Sequence, residues 1–299
     1  MKTYLECIPC FFKQALEAAR IAGASEKLQK QILNEVAKSI FQLPLTSSPA
    51  EMGRVVYGLV KKHTRVDDPY AEMKRKSDRL VLNVYHRLKE EVKNSRDRLL
   101  MAVELAIAGN IIDYGVKNSL NVDKEIERIL VEERRVIKTE NNTLFDYLRF
   151  HCALDRARTI LYLADNAGET VFDRILIEEI KRMDKKKIII YAVKEKPVIN
   201  DALEEDAYIS GIDKSAKILS SGSDAPGTIL SRCTKNFLKM FKKADLIISK
   251  GQGNFEALSS VHRSIFFLLI AKCPVIAGDV ECKVGDVLLL SHFKQKSKG

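Results

Sequence analysis

The stretch "LYLADNAGETVFD", residues 161 to 173, begins as an apolar strand and ends as the first turn of a helix. Asp165 and Asn166 follow the apolar run directly, and Gly168 precedes a helix start expected near Glu169. A buried strand that passes through a short polar turn into a helix is the repeating unit of a parallel α/β sheet. The stretch therefore predicts such a sheet, with two polar side chains at the carboxyl end of its first strand.

Short β-branched runs recur along the chain after about residue 155. They are "TILYLA", "KIIIYAV", "AKILSS", "ADLIIS", "CPVIA" and "DVLLL", and helical stretches separate them. Near-continuous apolar strands that alternate with helices indicate a sheet covered on both faces. We expect residues 151–299 to form a Rossmann-like α/β/α domain with a mainly parallel sheet, which places the protein in the α/β class.

The first half has a different pattern, with apolar residues at the three- and four-residue spacing of amphipathic helices. The segment "SPAEMGRVVYGLVKKH" opens with Ser48, Pro49 and Glu51, which are a cap, a first-turn proline and a capping-box glutamate in order. No strong strand pattern interrupts this half. We expect residues 1–150 to form a multihelical domain.

The composition is ordinary for a globular protein of 299 residues, with 46% hydrophobic and 30% charged residues. The N-terminus lacks the pattern of a secretory signal, and the run "IFFLLIA" at 265–271 is far too short to span a membrane. We expect a cytoplasmic protein without membrane contact. The net charge of +10 is interleaved with acids along helices, so nucleic acid is not an expected partner, whereas an anionic small substrate is.

The six cysteines are expected to be reduced in a cytoplasmic protein. Cys7 and Cys10 form a CxxC pair, and no second pair exists in the sequence. A closed zinc site usually needs four ligands. We therefore interpret the pair as half-buried residues of the first helix.

Oxygen-bearing side chains follow the first two predicted strands. Asp165 and Asn166 come after the first strand, and Asp201 lies in "KEKPVINDA" after the second. Ligands of open parallel sheets bind outside the carboxyl ends of the strands, where these residues would meet. Such a set, without cysteine or histidine, suits Mg²⁺ or Mn²⁺ rather than zinc.

Anion-binding groups follow the third and fourth predicted strands. The loop "SSGSDAPGT" contains Ser221, and the turn "KGQGN" contains Lys250, Gly251 and Asn254. Backbone N–H groups at helix N-termini bind anions, and a lysine can donate to a phosphate oxygen. A divalent ion beside such groups would make a phosphoryl-transfer site. Each loop taken alone is equally consistent with a turn and a helix cap, and neither a Walker loop nor a GxGxxG fingerprint is present.

One polar pair stands out in the helical half, in "AGNIIDYG" at 108–115. Asn110 and Asp113 are three residues apart, so they share one face of a helix within an apolar stretch. The alternative is a helix end with the asparagine as a turn residue.

Several long motifs of this sequence are similar to those of one family. They are "CIPCF", "DPYAEMKRKS", "AGNIIDYG", "LADNAGETVFD", "KPVINDA", "SKGQGNFEAL" and "KCPVIA". Over nearly the whole chain they resemble the metal-dependent damage-control phosphatases, long catalogued as domain of unknown function eighty-nine. The CxxC start is similar to the microbial stand-alone branch of that family.

The resemblance implies hydrolysis of phosphomonoesters of small, often damaged or side-product metabolites, such as sugar phosphates or phosphopantetheine-like compounds, with Mn²⁺, Co²⁺, Ni²⁺ or Mg²⁺. It implies that Asp165, Asn166 and Asp201 bind the metal. It also implies that Lys250 and Asn254 face the phosphate.

The family's Gly-Asn-x-x-Asp motif matches Asn110 and Asp113, which implies that the helical domain closes over the substrate. Glu169 lies near a substrate contact of the family. The expected catalytic residues are Asp165, Lys250 and Asp113, and the expected substrate-binding residues are Asn110, Glu169, Ser221, Lys250, Gly251 and Asn254.

Alternatives remain open at the level of sequence. Asp165 could act as a covalent nucleophile instead of a metal ligand that serves an attacking water. A methyltransferase would need glycines after the first strand, where Asp165 and Asn166 stand. A redox or nucleic-acid-binding module would rest on the CxxC pair and the charge, and it leaves the residues at the strand ends unexplained.

Overall fold

The computed structural model describes residues 1–117 and 144–292, with side chains for residues 1–109 and 144–291. Its sheet has six strands in the order β3-β2-β1-β4-β5-β6. The strands are β1 (Thr159–Leu163), β2 (Ile188–Val193), β3 (Lys217–Ser220), β4 (Leu246–Lys250), β5 (Ile265–Ile270) and β6 (Val287–His292). Strands β1 to β5 are parallel, and β6 runs antiparallel to β5.

The helices of the described residues precede the sheet and connect its strands. They are α1 (Cys7–Ile21), α2 (Glu26–Gln42), α3 (Pro49–Thr64), α4 (Ala71–Asn94), α5 (Arg98–Lys117), α6 (Tyr147–Arg156), α7 (Thr170–Met183), α8 (Glu204–Ile209), α9 (Lys235–Lys243), α10 (Gln252–Leu258) and α11 (Pro274–Asp279). Within residues 1–117 and 144–292, no helix combines the length and apolar character needed to cross a membrane.

Both faces of the sheet are covered by helices, because successive strand side chains point to opposite faces. On one face Tyr162, Tyr191 and Phe266 share a core with α4, α5, α6 and α7. On the other face Leu163 and Phe267 pack against α9, α10 and α11. The predicted α/β/α architecture with a mainly parallel sheet is confirmed.

Helices α1, α2 and α3 have a hydrophobic core of their own, which includes Phe11, Ile32 and Val56. Helices α4 and α5 instead belong to the core on the sheet. The domain boundary near residue 150 stays a prediction, and the hydrophobic cores divide between α3 and α4. The reason is that α5 is apolar around most of its circumference and can bury itself directly on the sheet.

The start of α3 confirms a predicted capping box. The Ser48 hydroxyl accepts from the Glu51 N–H at 3.3 Å, and the Glu51 carboxylate accepts from the Ser48 N–H at 2.7 Å. Pro49 occupies the first helical position.

The predicted strand "CPVIA" is wrong, because Pro274 begins α11 there. The strand lies just before it, in "IFFLLI", as β5 between β4 and β6. A proline at the first turn favours a helix start, since its ring fixes φ and its missing N–H is not needed there. A wholly apolar run of six residues that is buried on both faces reads equally well as a strand or a buried helix.

Candidate active site

The strand order reverses between β1 and β4, because the chain passes from β3 at one edge of the sheet back to β4 beside β1. Ligands of open α/β sheets bind at this point. A cavity of about 650 Å³ opens there. Asp165, Asn166 and Asp201 line its sheet side, and Cys7 and Cys10 of α1 line its opposite wall.

Asp165 lies directly against the backbone of Gly251. A Cβ atom at position 251 would be 1.9 Å from Oδ2 of Asp165, and Gly251 has φ +77°. Only glycine has room for this contact and adopts this φ without strain. The predicted residue Gly251 thus serves to admit the carboxylate of Asp165.

Backbone hydrogen bonds fix the spacing of the three predicted metal ligands. Asn166 and Asp201 pair in an isolated antiparallel bridge. The N–H of Ala167 donates to the carbonyl of Asn200 at 2.9 Å, and the N–H of Ala202 donates to the carbonyl of Asp165 at 2.8 Å. The chain after β1 and the loop after β2 therefore hold each other in register.

The loop that carries Asp201 contains a strained residue. Its turn is closed by the N–H of Asp201, which donates to the carbonyl of Val198 at 3.1 Å. Ile199 in this turn has φ +47°, a region that β-branched residues rarely adopt. Its side chain packs against the core of α1, α2 and α3. This packing offsets the strain and holds the loop against these helices.

The donor atoms of the three residues suit a hard divalent cation. The amide nitrogen of Asn166 donates to Glu169 at 2.7 Å and to Asp165 at 3.2 Å, which leaves its amide oxygen as the end available to a cation. Oδ2 of Asp201 is buried without a hydrogen bond of good geometry, and the Lys194 ammonium lies 3.4 Å away. Two carboxylates and one amide oxygen are the ligand types that Mg²⁺ and Mn²⁺ accept.

Histidine and cysteine play no part in this ligand set. Among the described residues, no cluster of three or more histidine, cysteine, aspartate or glutamate side chains is arranged to hold a metal ion. Asn166 supplies the third donor beside the two carboxylates, so the candidate site depends on the amide that Glu169 orients.

Both aspartates have raised pKa values, mainly because both are buried. Burial raises the pKa of Asp165 well above its usual value, with further raising by the charges of Glu169 and Asp201. Burial also raises the pKa of Asp201, to about 6, although Lys194 acts in the opposite direction. A positive charge beside two buried carboxyl groups favours their ionised forms, and a divalent cation would supply that charge.

Lys250 lies in a buried network beneath these ligands. Its ammonium donates to Glu169 and Asp173, each at 2.8 Å. The hydroxyl groups of Tyr162 and Tyr191 donate to the two oxygens of Asp173, each at 2.7 Å. The network connects β4, β1 and β2 to α7, and it holds the Glu169 carboxylate against Asn166.

This placement differs from the expectation that Lys250 faces the phosphate. Its side chain is fully buried and does not line the cavity. Burial acts to lower the pKa of Lys250, but the ion pairs with Asp173 and Glu169 raise it overall, so the residue stays charged. Phosphate contact by Lys250 stays a prediction, and in this structure its ammonium is bound by the carboxylates of Glu169 and Asp173.

Asn254 also lies beneath the rim of the sheet. Its amide nitrogen donates to the carbonyls of Ala164 and Lys250, each at 2.9 Å, and its oxygen accepts from the Thr228 hydroxyl at 2.8 Å. These hydrogen bonds connect the ends of β1 and β4, and the substrate contact expected of Asn254 stays a prediction.

The loop after β3 carries Ser221, whose predicted part in binding an anion stays a prediction, and local hydrogen bonds shape this loop. The N–H groups of Gly222 and Ser223 donate to the hydroxyls of Ser220 and Ser221, each at 3.2 Å. No α-helix starts at this loop, because α9 begins only after a further short turn. Pro226 is the residue of this loop that lines the cavity.

The predicted pair Asn110 and Asp113 belongs to α5, but the side chains of both lie outside the described residues, so their roles stay predictions. The residue before them, Gly109, packs closely on α7. A Cβ atom at position 109 would lie 2.8 Å from the ring of Phe172. This close approach allows α5 to pack directly on α7, the helix that follows the loop of Asp165.

A family model of the damage-control phosphatase ARMT1-like domain matches residues 3–288 of this chain. The chain belongs to this family. A damage-control phosphatase of Pyrococcus horikoshii is 34% identical over 295 residues, which cover 98% of this chain and 99% of that protein. A damage-control phosphatase of Archaeoglobus fulgidus is 34% identical, with 96% and 98% covered.

The fold of this damage-control phosphatase family member agrees with a solved structure. The crystal structure of a DUF89 family protein from Pyrococcus horikoshii superposes with a TM-score of 0.86 at 32% identity. The alignment covers 97% of this chain and 99% of the other. At the level that these comparisons reach, the protein is a phosphatase of metabolite repair.

The CxxC pair takes a position that the sequence analysis did not predict. Cys7 is half-buried, but Cys10 is exposed, and both line the cavity with Cys273 of the sheet side. Partial removal from water in the cavity wall raises the pKa of Cys7 and of Cys10 above the usual thiol value. The thiols are therefore neutral at physiological pH.

Three residues beside the site were missed by sequence reasoning: Asp173, Lys194 and Lys272. Asp173 is four residues after Glu169, which places both on one face of the helix start. Lys194 directly follows β2, and Lys272 is the second residue after β5. The same rule of strand ends that found Asp165 would have identified both lysines.

Proposed function

We propose that this protein is a metal-dependent phosphomonoesterase that acts on small phosphorylated metabolites. The observation that carries the proposal is the convergence of Asp165, Asn166 and Asp201 at the switch point of the sheet, inside a cavity of about 650 Å³. A cavity of this size accommodates a small metabolite. Its relatives from Pyrococcus horikoshii and Archaeoglobus fulgidus are named damage-control phosphatases.

A divalent cation held by Asp165, Asn166 and Asp201 would supply Lewis-acid chemistry for a phosphoryl oxygen. Mn²⁺, Co²⁺, Ni²⁺ and Mg²⁺ all fit a set of oxygen donors. The chain itself does the positioning. Gly251 admits the Asp165 carboxylate, Glu169 orients the Asn166 amide, and Lys250 holds Glu169 in place.

The Asp165 carboxylate can serve in either of two ways. It could help to hold a cation while water attacks the phosphorus and displaces the alcohol of the ester. Alternatively, it could attack the phosphorus itself and displace that alcohol, and water would then hydrolyse the aspartyl phosphate. Its contact with the Gly251 backbone fixes its direction in both cases, and fixed direction is the main contribution a protein makes to phosphoryl transfer.

The methyl-transfer alternative gains no support from the described residues. The first crossover after β1 carries Asp165 and Asn166 where a nucleotide-binding fold would carry glycines. We place the phosphatase in the cytoplasm, where thiols persist, because all six cysteines are free.

Asp201→Ala tests the proposal. The wild type, stripped of metal, should release phosphate from a panel of sugar phosphates and phosphopantetheine-like esters only after Mn²⁺, Co²⁺, Ni²⁺ or Mg²⁺ is added back. Asp201→Ala should bind Mn²⁺ at least about tenfold more weakly in a calorimetric titration and lose the metal-dependent activity.

The matched control is Asp213→Ala, which removes an exposed aspartate outside the cavity. It should keep both metal affinity and turnover. Undiminished turnover in Asp201→Ala, with normal Mn²⁺ binding, would contradict the proposed ligand set.

A further inference from the structure

Glu256 is a carboxyl of the cavity that the candidate metal site does not use. It belongs to α10, which begins at Gln252, directly after the glycine against which Asp165 lies. Its side chain is half-buried and lines the cavity. A helix rises 1.5 Å per residue, so Glu256 lies about 6 Å along the axis beyond Gln252. A small ester whose phosphate lies beside Asp165 can therefore extend to Glu256.

The amide of Gln252 holds the Glu256 carboxylate in place. Its oxygen accepts from the backbone N–H of Lys272 at 3.1 Å, which fixes the orientation of the amide. Its nitrogen donates to Oε1 of Glu256 at 2.8 Å and to Sγ of Cys273 at 3.6 Å. The direction of the carboxylate is therefore set, through Gln252, by the backbone that follows β5.

The Glu256 carboxylate lacks a cationic side chain as partner. Within the described residues, no lysine, arginine or histidine forms an ion pair with it. The terminal amine of Met1 donates to the Glu256 carbonyl and to the Ser259 hydroxyl instead, each at 3.3 Å. Partial removal from water raises the pKa of Glu256 to about 7, while the hydrogen bond from Gln252 acts in the opposite direction. Such a carboxyl is stabilised in its ionised form by a hydrogen-bond donor or a positive charge from the cavity.

The opposite wall of the cavity adds negative charge to that of Glu256. The charged side chains that α1 and the residue before it contribute to the cavity lining are Glu6, Lys13 and Glu17. The thiols of Cys7 and Cys10, on which the charge of Glu256 acts, are neutral. This part of the cavity therefore carries an excess of negative charge, which attracts a cationic group and repels an anionic one.

We propose that Glu256 determines specificity for the end of the substrate opposite the phosphate, where it binds an ammonium or a hydroxyl group and excludes a second anion. This inference rests on the proposed function and narrows its substrate class to monophosphates without another anionic group. An ammonium forms an ion pair with the carboxylate, and a hydroxyl donates a hydrogen bond to it. A carboxylate or a second phosphate is repelled, and this repulsion contributes to the selectivity.

The experiment measures kcat and KM of the full chain with Mn²⁺ on glucosamine 6-phosphate, glucose 6-phosphate and 6-phosphogluconate. These esters carry an ammonium, a hydroxyl and a carboxylate, respectively, away from the phosphate, and kcat/KM should fall in that order. Glu256→Gln should raise KM for the amino ester by about tenfold or more, the scale of a lost charged hydrogen bond, and change kcat less. Glu256→Lys should reverse the order of the three esters, which a merely structural role of Glu256 would not do.

Glu6→Gln is the matched control, because it removes the same charge from an exposed residue of the opposite wall. It should raise KM for the amino ester by about fivefold or less. An equal rise in Glu6→Gln and Glu256→Gln would overturn the direct contact in favour of a general field. So would a Glu256→Gln variant that binds Mn²⁺ weakly in a calorimetric titration but keeps the order of the esters. Glu256→Gln preserves the size of the side chain, so it decides the outcome if Glu256→Lys does not fold.

The two proposals fail in different ways. If the wild type hydrolyses no phosphomonoester with any metal, but calorimetry shows that it binds the three esters in the expected order and that Glu256→Gln removes this order, the proposed function is wrong and the selectivity stands. If the wild type hydrolyses the three esters with equal KM, or Glu256→Gln keeps the wild-type order, the selectivity is wrong and the phosphatase stands. A wild type that hydrolyses other phosphomonoesters but neither binds nor hydrolyses these three would overturn the selectivity as well.

Discussion

At the scale of the residue, the site depends on the close approach of the Asp165 carboxylate to the backbone of Gly251. A Cβ atom at position 251 would overlap Oδ2 of Asp165 at 1.9 Å, and φ at Gly251 is +77°. Any residue with a side chain at this position would displace the carboxylate and would have a strained backbone conformation. The position of Asp165 is therefore set by a residue that has no side chain.

Gly251→Ala should weaken Mn²⁺ binding by about tenfold or more, because disturbing the support of a metal ligand has effects of this size. Gly278→Ala is the matched control, since Gly278 lies in α11 without positive φ, and a methyl group there would meet no other atom within 4 Å. Calorimetric Mn²⁺ titration and urea unfolding measure both variants. Equal Mn²⁺ affinity in Gly251→Ala and wild type would show that Asp165 keeps its place without this contact.

At the scale of the element, the Lys250 network joins three neighbouring strands and a helix. Lys250 at the end of β4 bonds Asp173 of α7, and Asp173 bonds Tyr162 of β1 and Tyr191 of β2. All four side chains are fully buried. A buried carboxylate that loses its cation is costly, so the network stabilises the packing of α7 on the sheet.

Lys250→Met should lower the free energy of unfolding by about 3–5 kcal/mol at neutral pH. Without the ammonium, the carboxyl of Asp173 should bind a proton in the folded state at a pH where it is ionised in the unfolded state. Burial already raises the pKa of Asp173 while Lys250 lowers it. A carboxyl whose pKa is raised in the folded state stabilises that state at low pH, and this stabilisation disappears as the pH rises through the folded pKa. The decrease in the free energy of unfolding should therefore be smaller at about pH 5 than at about pH 8.

Urea unfolding at the two pH values measures the effect, with Lys239→Met as the control on an exposed position of α9. The control should change stability by about 0.5 kcal/mol or less at either pH. A Lys250→Met loss below about 1 kcal/mol at both pH values would mean that the network does not stabilise the fold and that Lys250 is available to the substrate.

At the scale of the whole molecule, helices α1, α2 and α3 form a helical wall with its own hydrophobic core. The wall lines one side of the cavity and contacts the loop after β3 and α10 directly through Ala50 of α3. Arg54 of α3 donates two hydrogen bonds, each 2.7 Å, to Asp224 in the loop between β3 and α9. Together with Ile199, this pair fastens the wall beside the site.

Hydrogen exchange should therefore be faster in α1, α2 and α3 than in β1, β4 and α7, because a smaller separate core opens at lower free energy. Mn²⁺ with inorganic phosphate should slow exchange in α1 and α3, whose residues line the cavity, but not in α9, which does not line it. Mass spectrometry of peptides from each helix measures both effects. Exchange of all elements at one common rate would show that the wall does not open separately.

The sequence by itself determined the parts that local chemistry controls. Apolar runs of β-branched residues indicated four of the parallel strands, and the Ser48 capping box indicated the start of α3. The rule that ligands lie at strand ends brought Asp165, Asn166 and Asp201 together without knowledge of the fold. These features depend on periodicity, capping and chain direction, which a sequence carries.

Only the tertiary structure decided which side chains line the cavity and which are buried against other protein groups. Lys250 follows a strand as an anion-binding lysine would, yet Asp173, four residues after Glu169, buries its ammonium. Lys272 was hidden in a motif read as a strand, and the CxxC pair came to face the site only because α1 forms its opposite wall. Burial and ion pairing depend on contacts between residues far apart in the chain, and such contacts have no period or spacing in the sequence.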